Sequence, residues 1–146
     1  EEVSEVVSII TNLIGKTWTN NSGKVATIGV ADVLVVVPFN DQRIAIDEAL
    51  NSQSLTSGVQ VGTVDKFQGR EAAVVIFSMA SSSVEDLERG ADFLFDSHRL
   101  NVAISRAKCL AYVVCNESLL TSRAKSVDQM KLFSGLCLFT EKAIEI

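Results

Sequence analysis

No stretch of this sequence approaches the roughly 18 consecutive apolar residues that a membrane-spanning helix requires. The chain also lacks the basic and then apolar beginning of a secretory signal peptide, so we expect a cytoplasmic protein with no membrane contact. Its first residue is glutamate rather than methionine, which indicates a segment of a longer protein. A length of 146 residues suits one domain with a sizeable core, and we expect residues 1–146 to form a single domain.

Cysteine is scarce, and the chain has no excess of positive charge. The three cysteines, Cys109, Cys115 and Cys137, are odd in number and form no Cys-x-x-Cys pair. This pattern predicts small buried apolar side chains in a reducing compartment rather than disulfides, and we assign no metal ligand. With 13 basic and 18 acidic residues, the net charge of −5 argues against a free-standing basic nucleic-acid module but allows a local positive groove.

Apolar periodicity predicts helices that alternate with strands. Val3, Val6, Val7 and Ile10 recur at spacings of three and four, the period of an amphipathic helix. By this reasoning helices are expected over residues 2–14, 42–50, 101–108 and 127–144, and strands over residues 33–37, 59–64, 74–79 and 110–115. The pattern predicts an α/β fold in which a mainly parallel sheet lies between two helical layers. The continuous apolar runs predict that residues 33–37, 74–79 and 110–115 are inner strands.

Polar segments follow or lead into the predicted strands at three places. They cover residues 38–43, 63–71 and 98–108, and each contains an arginine. In open α/β sheets, functional groups gather outside the carboxyl ends of the strands, so we expect all three segments at one rim of the sheet. Each segment alone is typical of a solvated loop, but three at compatible positions favour a binding site.

Gly15, Lys16 and Thr17 form a Gly-Lys-Thr triplet that imitates part of a phosphate-binding loop. The full pattern requires a glycine at position 10, where Ile10 stands, and the triplet follows a predicted helix instead of preceding one. The sequence therefore contains no phosphate loop, and we expect the chain not to hydrolyse ATP alone.

Three stretches of the sequence resemble motifs of superfamily 1 helicases of the RNA-surveillance and DNA-replication type. They are VGTVDKFQGREAAVVIFS, which resembles motif V, RLNVAISRAK, which resembles motif VI, and VVVPFNDQR, which resembles a Pro-aromatic-x-x-Gln segment. Their order and spacing agree with the family, and together they cover about residues 33–116. The tail DQMKLFSGLCLF is similar to the end of bacterial proteins that fuse a RecB-like nuclease to such a helicase.

The resemblance implies the second, C-terminal RecA-like domain of a two-domain motor, with a RecA-like αβα sandwich fold. ATP and Mg²⁺ would lie between this domain and an N-terminal RecA-like domain of the same protein, which carries the phosphate loop and the Mg²⁺-binding carboxylates. Arg106 matches the arginine that reaches the γ-phosphate, and a planar, permanently charged guanidinium suits the charge that develops there. Gln68, Gly69 and Glu71 match positions that face the nucleotide, and Arg43 is also assigned to it.

The resemblance also implies contacts with single-stranded DNA or RNA. Thr63 matches a hydroxyl that touches a nucleic-acid phosphate, and Phe39, Arg99 and Asn101 are assigned to the same partner. The tyrosine-arginine motif IV of the family is absent upstream of Arg43, so no residue is assigned to stack on adenine. A different interpretation is a degenerate RecA-like scaffold that binds proteins, although the intact motif residues argue against it. A flavodoxin-like domain would require a phosphate loop where PFNDQR stands.

Overall fold

The computed structural model describes residues 2–67, 69–79, 97–116 and 126–144, without the side chains at 97–99, 128, 129, 132, 133 and 136. The helices in these ranges are α1 (Glu2–Leu13), α2 (Asn40–Asn51), α3 (Ser97–Ile104) and α4 (Val127–Lys142). The strands are β1 (Thr17–Thr19), β2 (Val25–Thr27), β3 (Val33–Val36), β4 (Gln60–Gly62), β5 (Ala72–Ser78) and β6 (Ala107–Val114). Short 3-10 helices lie at Val30–Asp32 and Val64–Phe67.

The main sheet contains β4, β3, β5 and β6 in that order, and all neighbouring strands are parallel. The side chains of β3 alternate between its two faces: Val33 and Val35 belong to one apolar cluster, and Leu34 and Val36 belong to another. Helices α1 and α2 supply the first cluster and α3 supplies the second, so helices cover both faces. The predicted α/β fold with a mainly parallel sheet is confirmed.

Both apolar clusters contain side chains with almost no exposure. In the first, Ile10 of α1, Ile46 of α2 and Ile76 of β5 are each 0% exposed. In the second, Phe67 of the 3-10 helix and Leu100 of α3 pack against the opposite face of the sheet. All seven residues of β5 are buried, because this strand has a neighbour on each side and a cluster on each face.

The prediction that residues 110–115 form an inner strand is wrong for the part of the chain that is described. β6 is the last strand of the sheet, and Leu110 is 39% exposed. β6 also contains a bulge, because Ala72 pairs with Ala107 while Val74 pairs with Leu110, which gives β6 one residue more than β5 over this step. A continuous apolar run shows that the faces of a strand are covered but not which strands lie beside it.

Two further boundaries differ from the sequence prediction. The helix predicted over residues 101–108 ends at Ile104, and a turn at residues 105 and 106 leads directly into β6. A hairpin of β1 and β2, with Trp18 opposite Ala26, was not predicted because each strand has only three residues. The predicted end of α1 is confirmed: Gly15 has a φ of 87°, and its amide donates to the Ile28 carbonyl at 2.9 Å.

The prediction of buried cysteines is wrong for Cys109 and Cys137, which are both exposed. Cys115 is half-buried, and burial first and the charge of Glu2 second raise the pKa of its thiol. The described residues contain no group of three histidine, cysteine or acidic side chains that could hold a metal ion. Among the same residues, no helix is both long enough and apolar enough to cross a membrane.

Candidate functional site

The three polar segments do not share one rim of the sheet, so that prediction is wrong. Phe39 and Thr63 follow the carboxyl ends of β3 and β4, whereas Glu71 and Arg106 precede the amino ends of β5 and β6. Six residue steps of β5 separate Ala72 from Ser78 at the carboxyl edge of the sheet, a rise of about 20 Å. The reason is that residues 63–71 connect parallel strands and must therefore cross from one edge to the other.

The amino edge of the sheet, where its parallel strands begin, brings Glu71 and Arg106 together. The Ala72 amide donates to the Arg106 carbonyl at 3.1 Å, so the starts of β5 and β6 are neighbours. The Glu71 carboxylate lies 3.4 Å from the Lys108 ammonium, and both side chains are about half exposed. Lys108 was not assigned to the site, although its position near Arg106 at the start of a strand was a usable signal. The starts of β5 and β6 thus bring Glu71 together with the cations Arg106 and Lys108.

The Arg106 guanidinium has an unused donor. Its Nε is buried and has no hydrogen-bond partner among the described residues. A buried donor without a partner costs about 1–3 kcal/mol, and an anion could accept from this Nε only if the side chain moved, because the atom has almost no solvent exposure. Arginine is suited to phosphate because its planar fork can donate two parallel hydrogen bonds. The amino edge thus has the donor chemistry expected of a phosphate-binding surface.

The carboxyl edge collects the residues assigned to nucleic acid. The Val37 amide donates to the Gly62 carbonyl at 3.0 Å, which joins the ends of β3 and β4 and places Phe39 near Thr63. Both of these side chains are half-buried. Helix α3 leads into β6 and packs on β5, β6 and the Val64–Phe67 helix, so it runs opposite to the strands and begins towards this edge.

The start of α3 carries the remaining nucleic-acid assignments. Asn101 is exposed one turn into the helix. Arg99 lies two residues earlier, but its side chain is outside the described part of the structure, as is that of His98. The backbone therefore groups all four assigned positions at the carboxyl edge, on the α3 side of the sheet.

The connection from β4 to β5, residues 63–71, is held tightly at its start. Phe67 is 2% exposed, and the Lys66 ammonium donates to the Val61 carbonyl at 2.9 Å. A Cβ atom on Gly62 would lie 2.5 Å from Cδ of Lys66 and 3.0 Å from the Phe67 ring. Glycine at position 62 thus allows the 3-10 helix to pack directly on β4.

Gly69 lies in the turn that leads the chain into β5. Its φ is +79°, and a Cβ atom there would meet no other described residue within 4 Å. The turn is closed by the Arg70 amide, which donates to the Phe67 carbonyl at 3.0 Å. Within the described ranges, glycine is required here for its left-handed backbone and not for close contact. Gln68, also assigned to the nucleotide, lies outside the described residues.

Replacing Gly69 by alanine is expected to lower the free energy of unfolding by about 1–2 kcal/mol, the cost of a left-handed backbone for a residue with a Cβ. Gly69→Asn should lose less, because asparagine tolerates this conformation. Urea unfolding of the chain measures both variants. Equal losses for alanine and asparagine would contradict the backbone explanation.

Arg43 does not join Glu71 and Arg106. It lies in the first turn of α2, where its amide donates to the Phe39 carbonyl at 3.1 Å. Its backbone is therefore at the carboxyl edge, while the other residues assigned to the nucleotide and described here precede β5 and β6. The sequence motif alone contains no information about this separation.

A partly buried hydrogen-bond chain beside Arg43 was not expected from the sequence. The Gln42 amide donates to the Ser78 hydroxyl at 3.3 Å, and that hydroxyl donates to the Glu2 carboxylate at 2.8 Å. Ser78 is 0% exposed, so it joins the starts of α1 and α2 through the end of β5. The sequence signal for this hydrogen-bond chain was a serine, Ser78, at the end of an otherwise apolar run.

Comparison with known proteins agrees with this architecture. A family model described as an AAA domain matches residues 1–118 of the chain. Over 102 residues the chain is 35% identical to the DNA replication ATP-dependent helicase/nuclease DNA2 of Xenopus laevis, covering 59% of this chain and 9% of that protein. It is 41% identical over 83 residues to the DNA polymerase alpha-associated DNA helicase A of Schizosaccharomyces pombe, covering 57% and 12%.

A third relative matches a longer stretch of the chain. The regulator of nonsense transcripts 1 homolog of Drosophila melanogaster is 28% identical over 130 residues, which is 82% of this chain and 11% of that protein. The chain thus spans about a tenth of the length of each of these curated relatives. From the family match, the parallel sheet and these relatives, the chain belongs to the AAA-domain family and is a helicase domain of superfamily 1.

Proposed function

We propose that this chain is the C-terminal RecA-like domain of an ATP-dependent helicase and completes an ATP site shared with an N-terminal RecA-like domain. The observation that carries this proposal is the amino edge, where Glu71 and Arg106 immediately precede adjacent strands and the Ala72 amide donates to the Arg106 carbonyl. In this role Arg106 donates to the γ-phosphate as negative charge develops on it. Gly69 and Glu71, with Gln68, face the same nucleotide.

The amino edge suits a phosphate better than it suits Mg²⁺. Mg²⁺ prefers carboxylate and water oxygens, whereas Glu71 is paired with Lys108 and lies next to Arg106. In the proposed function the Mg²⁺ ligands therefore belong to the N-terminal domain. The residues of this chain bind the phosphate oxygens and neutralise their charge.

Single-stranded DNA or RNA is the proposed partner of the carboxyl edge. Thr63 would donate to a backbone phosphate, and Phe39 offers an aromatic ring on which a base can stack. Arg99 and Asn101 would add contacts from the start of α3. Because the net charge of the chain is −5, these contacts depend on a local positive groove, and we expect weak binding that decreases steeply with salt.

We also propose a cytoplasmic location and a fused nuclease in the same protein.

The test compares this chain with the longer parent protein. The parent should hydrolyse ATP at about 1–100 s⁻¹ when single strand is saturating, the range typical of kinases, which also transfer the γ-phosphoryl group of ATP. The chain alone should show no strand-stimulated hydrolysis, because it contains no phosphate loop. Turnover by the purified chain at the rate of the parent would contradict the shared site. An intact parent that binds strands or proteins without hydrolysing ATP would instead support a scaffold.

A further inference from the structure

We propose that Arg70 is a positioning residue, which fixes the turn carrying Gly69 and Glu71 by holding Gln60 and Phe67. The helicase motifs assign no role to Arg70, and its side chain donates to Gln60 of β4 while Glu71 pairs with Lys108. The inference rests on the proposed function, because the turn matters for turnover only if it faces a nucleotide. The contacts themselves do not depend on that function.

The first contact joins the turn to a distant strand. Nη1 of Arg70 donates to Oε1 of Gln60 at 2.6 Å. Gln60 begins β4, whereas the residues after Arg70 enter β5, and β3 lies between these two strands. The hydrogen bond therefore ties the turn before β5 back to the strand on the far side of β3.

The second contact is with an anchored ring. The Arg70 guanidinium carbon lies 5.8 Å from the centre of the Phe67 ring, within the range of a cation–π interaction. Phe67 is itself fixed in the second apolar cluster and is crowded against Gly62. Arg70 is therefore tied to two points, Gln60 and Phe67, that belong to the rigid part of the domain.

These ties act on Glu71 through the backbone. Arg70 and Glu71 are consecutive, and the next residue, Ala72, enters the ladder with Arg106. The turn itself has a glycine at position 69, which adds conformational freedom just before the two charged residues. Fixing the Arg70 side chain limits that freedom and holds Glu71 beside the start of β6.

The exposure of Arg70 distinguishes a positioning role from a role in global stability. Arg70 and Gln60 lie at the surface, Arg70 being exposed and Gln60 half-buried. Surface polar contacts contribute little to global stability. The loss of Arg70 should therefore change the local turn and the turnover while leaving the unfolding midpoint close to that of the wild type.

The experiment uses the full-length parent with Arg70→Ala, Gln60→Ala and the swapped double variant Gln60→Arg/Arg70→Gln. Misplacing a catalytic group by about 1 Å can reduce rates about 100-fold, so we expect Arg70→Ala to lower strand-stimulated kcat roughly 10- to 100-fold. Strand affinity without nucleotide should stay unchanged. Gln60→Ala should show a smaller loss, because the contact with Phe67 remains. Lys24→Ala, which removes an exposed cation on the β1–β2 hairpin, is the matched control.

The swapped variant distinguishes positioning from direct contact. If Arg70 positions the turn, the reversed hydrogen bond should restore kcat to within a few-fold of the wild type, about the scatter expected for a repacked surface pair. If Arg70 instead touches phosphate, moving the guanidinium to β4 should restore nothing, and the inference is overturned.

A second measurement does not depend on activity. Hydrogen exchange of the Arg70 amide, which donates to Phe67, should become roughly tenfold faster in Arg70→Ala and return in the swapped variant. Unchanged exchange in Arg70→Ala would overturn the inference even if turnover fell. A parent that lacks ATP hydrolysis would count against the proposed function, and the exchange rates would still decide whether Arg70 holds the turn.

Discussion

Arg106→Ala in the full-length parent is expected to lower strand-stimulated ATP turnover by about 10³- to 10⁵-fold. This range corresponds to roughly 4–7 kcal/mol of activation free energy. Arg106 immediately precedes β6 at the amino edge, and a guanidinium can donate two parallel hydrogen bonds to phosphate oxygens. Strand affinity without nucleotide should change little, because the residues assigned to nucleic acid lie at the opposite edge. Steady-state hydrolysis under saturating single strand measures the first effect, and equilibrium binding measures the second.

Two companion variants sharpen the result for Arg106. Arg106→Lys should recover little, because an ammonium cannot donate the two parallel hydrogen bonds of a guanidinium. Asp65→Ala changes an exposed charge in the Val64–Phe67 helix and should leave turnover near the wild-type rate. Wild-type turnover in Arg106→Ala would remove the proposed role of Arg106 and favour the scaffold interpretation.

Phe67→Ala is expected to lower the free energy of unfolding by about 3–5 kcal/mol, as is typical when a large core side chain is truncated. The ring is 2% exposed and packs in the second cluster with residues of β3, β5 and α3. Its loss also removes the surface against which Gly62 is crowded and over which the Lys66 and Arg70 cations lie. Urea denaturation, followed by circular dichroism, measures the change.

Phe67→Leu is the matched control, since it keeps most of the apolar volume. It should lose clearly less stability than Phe67→Ala, because a smaller cavity remains. If both variants unfolded at the urea concentration of the wild type, the packing of the Val64–Phe67 helix on the sheet would be contradicted.

Much of the fold could be predicted because periodicity reports burial directly. The apolar run of residues 33–37 predicted β3, and the spacing of Val3, Val6 and Val7 predicted α1, since each pattern states which faces must be covered. Gly15 could be assigned to the end of α1 because few other residues adopt its backbone conformation. These inferences needed no knowledge of distant contacts.

The sequence could not predict which elements lie side by side. The run of residues 110–115 looks like that of residues 74–79, yet β6 lies at the edge of the described sheet and β5 lies at its centre. The motifs contain Glu71 and Arg106, which immediately precede adjacent strands, but a motif could not show that Arg43 lies at the opposite edge. Edge and strand order depend on chain connections, which local patterns do not report.

The bulge in β6 determines which residue stands opposite the start of β5. If the ladder continued regularly from Val74 and Leu110, Ala72 would face Lys108, but the extra residue makes it face Ala107. Side chains of a strand alternate with a period of two, so a shift of one residue turns each of them to the other face. One extra residue of β6, in a stretch where Lys108 and Cys109 are exposed, thus determines on which face of the sheet the Arg106 side chain lies relative to that of Glu71. The length of this stretch therefore constrains the site more strictly than its chemical composition does.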